Sequence, residues 1–409
     1  MTGDPARKEA VSIVLIGIGG MGGVYLKALL ENAAGGAFTL VGSVDPNPER
    51  CPDLEKLLTL KIPVFRSLGD FYDRQTADLA IVSSPIHFHC DQTCLALENG
   101  SHVLCEKPPA ATIQEVRRMI EARDKAKKQV AVGYQWSFSE AIQKLKSDVS
   151  GGAFGRPRRL RCLYLWPRDE AYYHRSDWAG KKRDARGRWI LDSPANNAMA
   201  HDLHNMFYVL GKTRETSALP VRVEAELYRA NAIDNFDTIA LRCEVQGGVE
   251  VLFFASHAAG RDTGPVFSYE FDKGTASVSG RDVAVRADFW TGESEVYGFP
   301  DAEPLKKMWD AIESARTGRP AACGLEAALS QTLCLNGAQD SMPAIGEFPQ
   351  ALLKVEGDPG KESVCVEGLA EAFADCYETS RLPSEAGIPW ARKGRPIDLS
   401  EYQSFPGES

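Results

Sequence analysis

Apolar and polar positions follow two different rhythms along this chain, and the change falls just after residue 134. In the first part, short apolar runs recur between helix-like stretches. Val11–Ile16 (VSIVLI) is continuous rather than alternating, as in a parallel strand buried on both faces. Gly17 to Gly23 follow, and the spacing then predicts a helix over Val24–Glu31. Strands are expected over Phe38–Val44, ending at Asp45, and over Leu79–Ser83, ahead of Pro85. A helix over His89–Glu98 stops at Asn99-Gly100, and His102–Cys105 is again strand-like. Ile113–Lys127 predicts a helix leading to a strand over Val130–Gly133. Such alternation predicts an open parallel α/β sheet.

After Tyr134 one more helix, about Ser139–Asp148, precedes a run of strand-like segments. These are Leu160–Trp166, Val221–Arg229, Thr238–Glu244, Glu250–Ser256, Phe267–Asp272, Thr275–Gly280 and Asp282–Ala287. Glycine turns such as Gly247-Gly248 separate several of them, so a largely antiparallel sheet is expected. A helix over Pro194–Leu210, stopped by Gly211, interrupts the run. Helices near Leu305–Thr317 and Leu325–Ala338 either cover that sheet or return to the first domain. A last helix near Val366–Ser380 leads into a Pro-rich arm. The expected domains are 1–135, 136–345 and a peripheral 346–409.

Composition narrows the class. A chain of 409 residues exceeds one ordinary domain. The net charge of -9 argues against a general nucleic-acid surface, and the basic clusters Arg156–Arg161 and Lys181–Arg188 are expected to be solvated charge on a strand edge and a loop. No apolar run is long enough to span a membrane. The first ten residues are polar and charged, which argues against secretion and for a cytoplasmic protein. The ten cysteines are scattered without a CxxC pair; Cys90 and Cys94 share only helical spacing. They are expected to be free thiols in a reducing compartment, with no metal bound.

Candidate chemistry begins at the glycine turn. Gly17, Gly19 and Gly22 form GxGxxG between strand and helix: the first for the tight turn, the second for backbone approach to a pyrophosphate, the third for close packing. Gly20 and Met21 would bring unpaired N–H groups to that phosphate. Asp45, closing the next strand, suits the two hydroxyls of an adenosine ribose and repels a 2′-phosphate, which favours NAD over NADP. The alternative is that Asp45-Pro46-Asn47 is simply a turn. Lys107 directly follows an apolar strand, at the edge where parallel sheets bind ligands. There it either orients a substrate hydroxyl and favours a developing alkoxide or is an ordinary solvent-facing lysine. Glu106 either restrains that lysine or contacts the cofactor.

In the helix expected from Pro194, capped by Asp192-Ser193, Asn197, His201, His204 and Tyr208 fall within an arc of about 60° at the edge of the buried face. His201 has the titration range to take a hydroxyl proton, with His204 or Asn197 setting its tautomer or gripping another hydroxyl. The alternatives are a hydrogen-bonded packing histidine, or a metal pair lacking any third ligand.

These segments resemble the glucose–fructose oxidoreductase / inositol dehydrogenase / rhizopine catabolism (Gfo/Idh/MocA) family. The most specific match is SSPIHFHCDQTCLALENGSHVLCEKPPA over Ser83–Ala110, with its G-x-H-V-x-x-E-K-P strand end, and GYQ at Gly133–Gln135 continues it. The resemblance covers about residues 10–140 and is architectural to about 345. It implies an N-terminal Rossmann-type parallel sheet with a C-terminal α+β domain built on a largely antiparallel open sheet. It also implies NAD-dependent hydride exchange with a secondary alcohol of a sugar, cyclitol or sugar acid, Lys107 and His201 being catalytic. Ser83, Ser84, Pro85, His89, Glu106 and Gln135 join the glycine turn as cofactor-side candidates. Asn197 and His204 stand where the family carries acidic residues, which leaves the reaction class open: a glycosidase using bound NAD in transient oxidation, elimination and reduction, or a nucleotide sensor without chemistry. Within Trp166–Trp189, Trp166, Arg168, Tyr173 and Trp178 are substrate-side candidates, as is Tyr134. A homodimer or homotetramer is the expected assembly.

Overall fold

The computed structural model describes residues 10–281 and 283–407. The chain divides into two compact units, the first holding the described residues through Ala110 with Glu115–Phe138 and Pro304–Glu326, the second holding the rest.

The first unit is a six-stranded parallel sheet of β1 (Val11–Ile16), β2 (Phe38–Val44), β3 (Val64–Phe65), β4 (Leu79–Val82), β5 (His102–Cys105) and β6 (Val130–Val132). Its order is β3-β2-β1-β4-β5-β6, the doubly wound arrangement in which the strand order reverses between β1 and β4. The reversal explains why the carboxyl ends of those two strands matter: Gly17 and Ser83, the residues that follow them, meet there. Ile13, Val14, Leu15, Ala80, Ile81 and Val82 are all fully buried, which accounts for the continuous apolar runs. Helices α1 (Met21–Asn32), α2 (Leu54–Thr59), α3 (Leu68–Tyr72), α4 (Ile86–Glu98) and α5 (Ile113–Ala126) connect the strands. Helix α1 begins three residues earlier than the sequence indicates, because Gly22 and Gly23 are themselves helical. The short α2, β3 and α3 were not expected, since two to six residues carry too little periodicity. The helix Lys306–Thr317 packs against β5 and β6, which settles its open assignment in favour of the first sheet.

The second unit is built on a ten-stranded sheet, antiparallel except where β7 (Pro157–Leu165) meets β10 (Val249–Ser256) and at one edge. Its other main strands are β8 (Pro220–Arg229), β9 (Thr238–Val245), β11 (Thr263–Phe271), β12 (Gly274–Ser279), β13 (Val285–Phe289) and β14 (Ser294–Gly298). The expected strand at Asp282–Ala287 starts later, and Asp282 itself lies outside the described residues. Preceding and covering helices are α6 (Glu140–Ser150), the short α7 (Glu170–His174) and α8 (Ala200–Val209). The first basic cluster is answered by acids on neighbouring strands: Arg159 bonds Glu250 at 2.7 Å and Arg161 bonds Glu270 at 2.6 Å. All ten cysteines are free, and all but Cys94 are buried.

Candidate active site

At the glycine turn each glycine has its own reason. Gly17 sits at φ +78°, and a Cβ there would lie 2.9 Å from the Ser83 carbonyl oxygen; one on Gly22 would lie 1.8 Å from the Gly17 oxygen. Ser83 locks the turn by placing its Oγ 2.9 Å from Ile16 O and 2.8 Å from Gly17 O. Gly19 and Gly20 are exposed, a Cβ on either would meet nothing within 4 Å, and Gly20 adopts φ +51° ahead of α1. The N–H groups of Gly19, Gly20 and Met21 donate to nothing among the described residues. An open, positively polarised backbone cradle results, the chemistry that a pyrophosphate needs. Asp45 uses Oδ2 to accept the Ile18 N–H at 3.1 Å and Oδ1 to accept the Asn47 N–H at 2.9 Å. The turn reading of Asp45 is therefore real, and a carboxylate keeps further lone pairs for ribose hydroxyls.

His89 departs from its expected role. It is buried, with Nδ1 2.8 Å from the Pro108 oxygen and Nε2 2.7 Å from the Ser84 oxygen. Burial lowers its pKa, and a neutral ring carries one N–H, so it donates to one of these two carbonyls, with both nitrogens facing the loops after β4 and β5 rather than open space. Ser84 in turn donates to Gln92 at 2.5 Å, and Pro85 caps α4 without a side-chain bond. Gln135 lies half-buried in a short 3-10 turn, Gln135–Phe138. Tyr134, expected on the substrate side, is wholly buried directly after β6, and burial holds its phenol far above the ordinary range.

The strand end carrying Lys107 is braced from below by residues the sequence did not reveal. Glu106 is buried; its Oε1 accepts the Lys307 ammonium at 2.5 Å and the Tyr25 hydroxyl, and its Oε2 accepts the Lys107 N–H at 3.2 Å. Lys307 also donates to the Gly133 oxygen at 3.1 Å. Burial alone would raise the Glu106 carboxyl, but the Lys307 charge and the two donors outweigh it and hold it below the ordinary value. Gly133 leaves the room: a Cβ there would stand 2.8 Å from Glu106 Oε1. Of the two roles open to Glu106, this geometry supplies restraint. Lys107 itself is half-buried, and its bond to Pro108 is cis.

In the second unit α8 begins at Ala200, six residues later than expected. Residues 193–199 form turns, in which the Asn196 N–H donates to Ser193 Oγ at 3.2 Å. Asn197 therefore precedes the helix, and the expected polar stripe does not form. His204 turns inward, fully buried beside the Tyr208 ring (centroids 5.6 Å); burial and the Lys146 charge push its pKa well below the ordinary histidine value. His201 stays half-buried. Asn197 donates to Asp192 Oδ1 at 2.9 Å, and Asp192 Oδ2 accepts the Gly180 N–H at 2.7 Å. A carboxylate thus sits one contact from Asn197, on a residue read in the sequence only as a cap.

The four aromatic and basic candidates form one cluster around Tyr172. Trp166 stacks on Tyr164 with centroids 5.6 Å apart, and Arg168 lies 3.6 Å from the Trp166 ring and 4.5 Å from Tyr172. Tyr173 meets Tyr172 edge-on at 5.3 Å, and Arg175 links Tyr172 to Trp178 at 3.6 and 5.0 Å.

A doubly wound parallel sheet with an open glycine turn at its switch point, followed in the chain by a broad, mostly antiparallel sheet, defines a two-domain dinucleotide-binding oxidoreductase. Residues 11–134 match the family described as "Oxidoreductase family, NAD-binding Rossmann fold". The first unit is thus similar to the NAD-binding part of the Gfo/Idh/MocA oxidoreductases. Among similar proteins, inositol 2-dehydrogenase 1 of Saccharopolyspora erythraea is 25% identical over 357 residues, 81% of this chain and 95% of that protein. D-glucoside 3-dehydrogenase of Escherichia coli is 40% identical over 78 residues, 19% of this chain and 22% of that protein. The fold is shared with the WlbA dehydrogenase of Bordetella pertussis, crystallised with NADH and UDP-GlcNAcA, at a TM-score of 0.66 and 20% identity over 82% of this chain and 97% of that one.

Proposed function

We propose that the protein oxidises a secondary alcohol of a sugar, cyclitol or sugar acid, reversibly, with NAD preferred to NADP. The observation that carries this reading is the braced strand end: a buried Glu106–Lys307–Tyr25 network fixes the backbone of Lys107 at the carboxyl edge of a sheet whose glycine turn suits a dinucleotide. Gly17, Gly19, Gly20, Met21 and Gly22 would hold the pyrophosphate and Asp45 the adenosine ribose. Bound NAD supplies the hydride acceptor. Lys107 donates a hydrogen bond to the substrate oxygen and favours its alkoxide character, while His201 takes the hydroxyl proton. The names of similar proteins, an inositol and a glucoside dehydrogenase, support a carbohydrate alcohol as the substrate. The free, mostly buried cysteines fit a cytoplasmic setting, and a homodimer or homotetramer is the proposed assembly.

The test is a panel of sugars, cyclitols and sugar acids with NAD and with NADP, followed by absorbance of the reduced nicotinamide. Turnover with at least one polyol is expected, faster with NAD. Lys107→Ala and His201→Ala are each expected to lower the rate by about 100-fold or more; full activity in either variant would remove its assigned role. Bond cleavage of a glycoside without net reduced cofactor would replace this reading with the transient-oxidation glycosidase.

A further inference from the structure

Around Tyr172, in the second unit, three buried polar atoms have no hydrogen-bond partner among the described residues: Arg168 Nε, Tyr173 Oη and His257 Nε2. Folded interiors satisfy nearly all such atoms, so a group of them calls for partners from outside the chain, water or a bound molecule. They are neighbours through one ring. Arg168 lies 4.5 Å from the Tyr172 centroid, Tyr173 5.3 Å and His257 5.4 Å.

The chemistry of each atom narrows that molecule. Arg168 is held over Trp166 and Tyr172, and no carboxylate among the described residues pairs with it. Neighbouring guanidiniums differ, for Arg281 bonds Asp262 at 2.9 Å and Arg175 stands 3.9 Å from Asp192. Burial lowers the Arg168 pKa, with the Arg175 charge adding to it and the neighbouring tyrosines offsetting only part of the cost. His257 Nδ1 faces the Trp166 carbonyl at 2.8 Å, so that nitrogen carries the proton. Burial, with help from the Arg168 and Arg175 charges, keeps the ring neutral by lowering its pKa to about 3. Nε2 is left with a lone pair, an acceptor for a hydroxyl hydrogen. Tyr173 can give or accept a bond. A positive charge beside a hydroxyl acceptor suits a ligand that is both negatively charged and hydroxylated.

We infer that this cluster binds an anionic carbohydrate, Arg168 taking its carboxylate or phosphoryl oxygens and His257 accepting a hydrogen bond from a neighbouring hydroxyl. The inference names the substrate class for the oxidoreductase proposed above and rests on that reading for the reaction, though not for the binding.

Calorimetry on the full chain saturated with NAD tests it, using glucose, glucuronate, gluconate and glucose 6-phosphate as probes. At least one anion is expected to bind about 10-fold or more tighter than glucose, because charge-assisted bonds to a guanidinium exceed neutral ones. Preference for the carboxylates identifies a sugar acid, and preference for the phosphate a phosphosugar. Arg168→Gln is expected to erase the ratio of anion to glucose affinity, and Arg168→Lys, which keeps the charge but not the planar fork, to retain part of it; thermal melts check that both fold. Equal affinity for glucose and its anions, no binding of any anion, or a preference that survives Arg168→Gln overturns the inference. Reduced nicotinamide followed in the same samples separates the two readings. Anion binding dependent on Arg168 without any reduction sinks the oxidoreductase assignment alone, and reduction without anion preference sinks the anion site alone.

Discussion

Two buried polar clusters, one in each unit, handle charge in opposite ways. Below Lys107 every charge is answered inside the chain: the two oxygens of Glu106 accept bonds from Lys307, Tyr25 and the Lys107 backbone. Around Tyr172 a guanidinium, a phenol and an imidazole keep polar atoms without partners among the described residues. The first arrangement is what a scaffold needs, because a buried ion pair with all its bonds made holds one geometry. The second is what a binding site needs, because bonds already spent within the chain are not available to a ligand. Rigidity at the strand end and unspent valence in the aromatic cluster are two different uses of buried polar groups.

The sharpest way to break the contrast is Lys307→Met. It leaves the Glu106 carboxylate buried without its cation, and a loss of about 3–5 kcal/mol of stability is expected in urea unfolding at neutral pH. The pH dependence has a definite sign. Glu106 is held below its ordinary value of 4.5, so its contribution is in place above that pH and disappears as pH falls through the depressed folded value. The gap between wild type and Lys307→Met should therefore shrink on acidification below about pH 4.5. A loss of stability under about 1 kcal/mol at neutral pH would mean that the network braces nothing. The mirror substitution sharpens the comparison from the other side. Arg168→Met removes a half-buried cation with no acidic partner and gives up only its contacts with two rings. Its stability is expected to stay within about 1 kcal/mol of wild type, and a destabilisation as large as that of Lys307→Met would show that Arg168 is a structural residue.

Much of the first unit was legible because its signals are local. GxGxxG follows a buried strand, Asp45 closes the next one, and the E-K-P strand end is contiguous, so the parallel α/β character of the sheet and the place of Lys107 at a strand end follow from adjacent residues. Tyr25 and Lys307 were not legible. Lys307 acts only because the helix Lys306–Thr317 returns to β5 some 200 residues after Glu106, while Tyr25 reaches the same carboxylate from α1, and nothing in a local window marks either as the partner of a distant carboxylate. The second unit shows the limit of helical periodicity. Asp192-Ser193-Pro194 has the composition of a helix start, yet Asp192 spends its carboxylate on Gly180 and Asn197, and the helix begins only at Ala200. With that shift Asn197 leaves the helix, and His204, placed by phase at a cleft edge, is a core residue. The aromatic and basic segment was visible as composition; its unpaired atoms belong to tertiary contacts with His257, which no spacing rule reaches.

Direct transfer of hydrogen to the nicotinamide is the central claim, and isotope labelling addresses it most directly. A carbohydrate that binds the protein, deuterated at its carbinol carbons, is incubated with NAD, and the recovered cofactor is weighed by mass spectrometry. Reduced nicotinamide carrying deuterium, formed by wild type and lost in Lys107→Ala, is the expected result. Bound carbohydrate with NAD left unreduced and unlabelled throughout would contradict it.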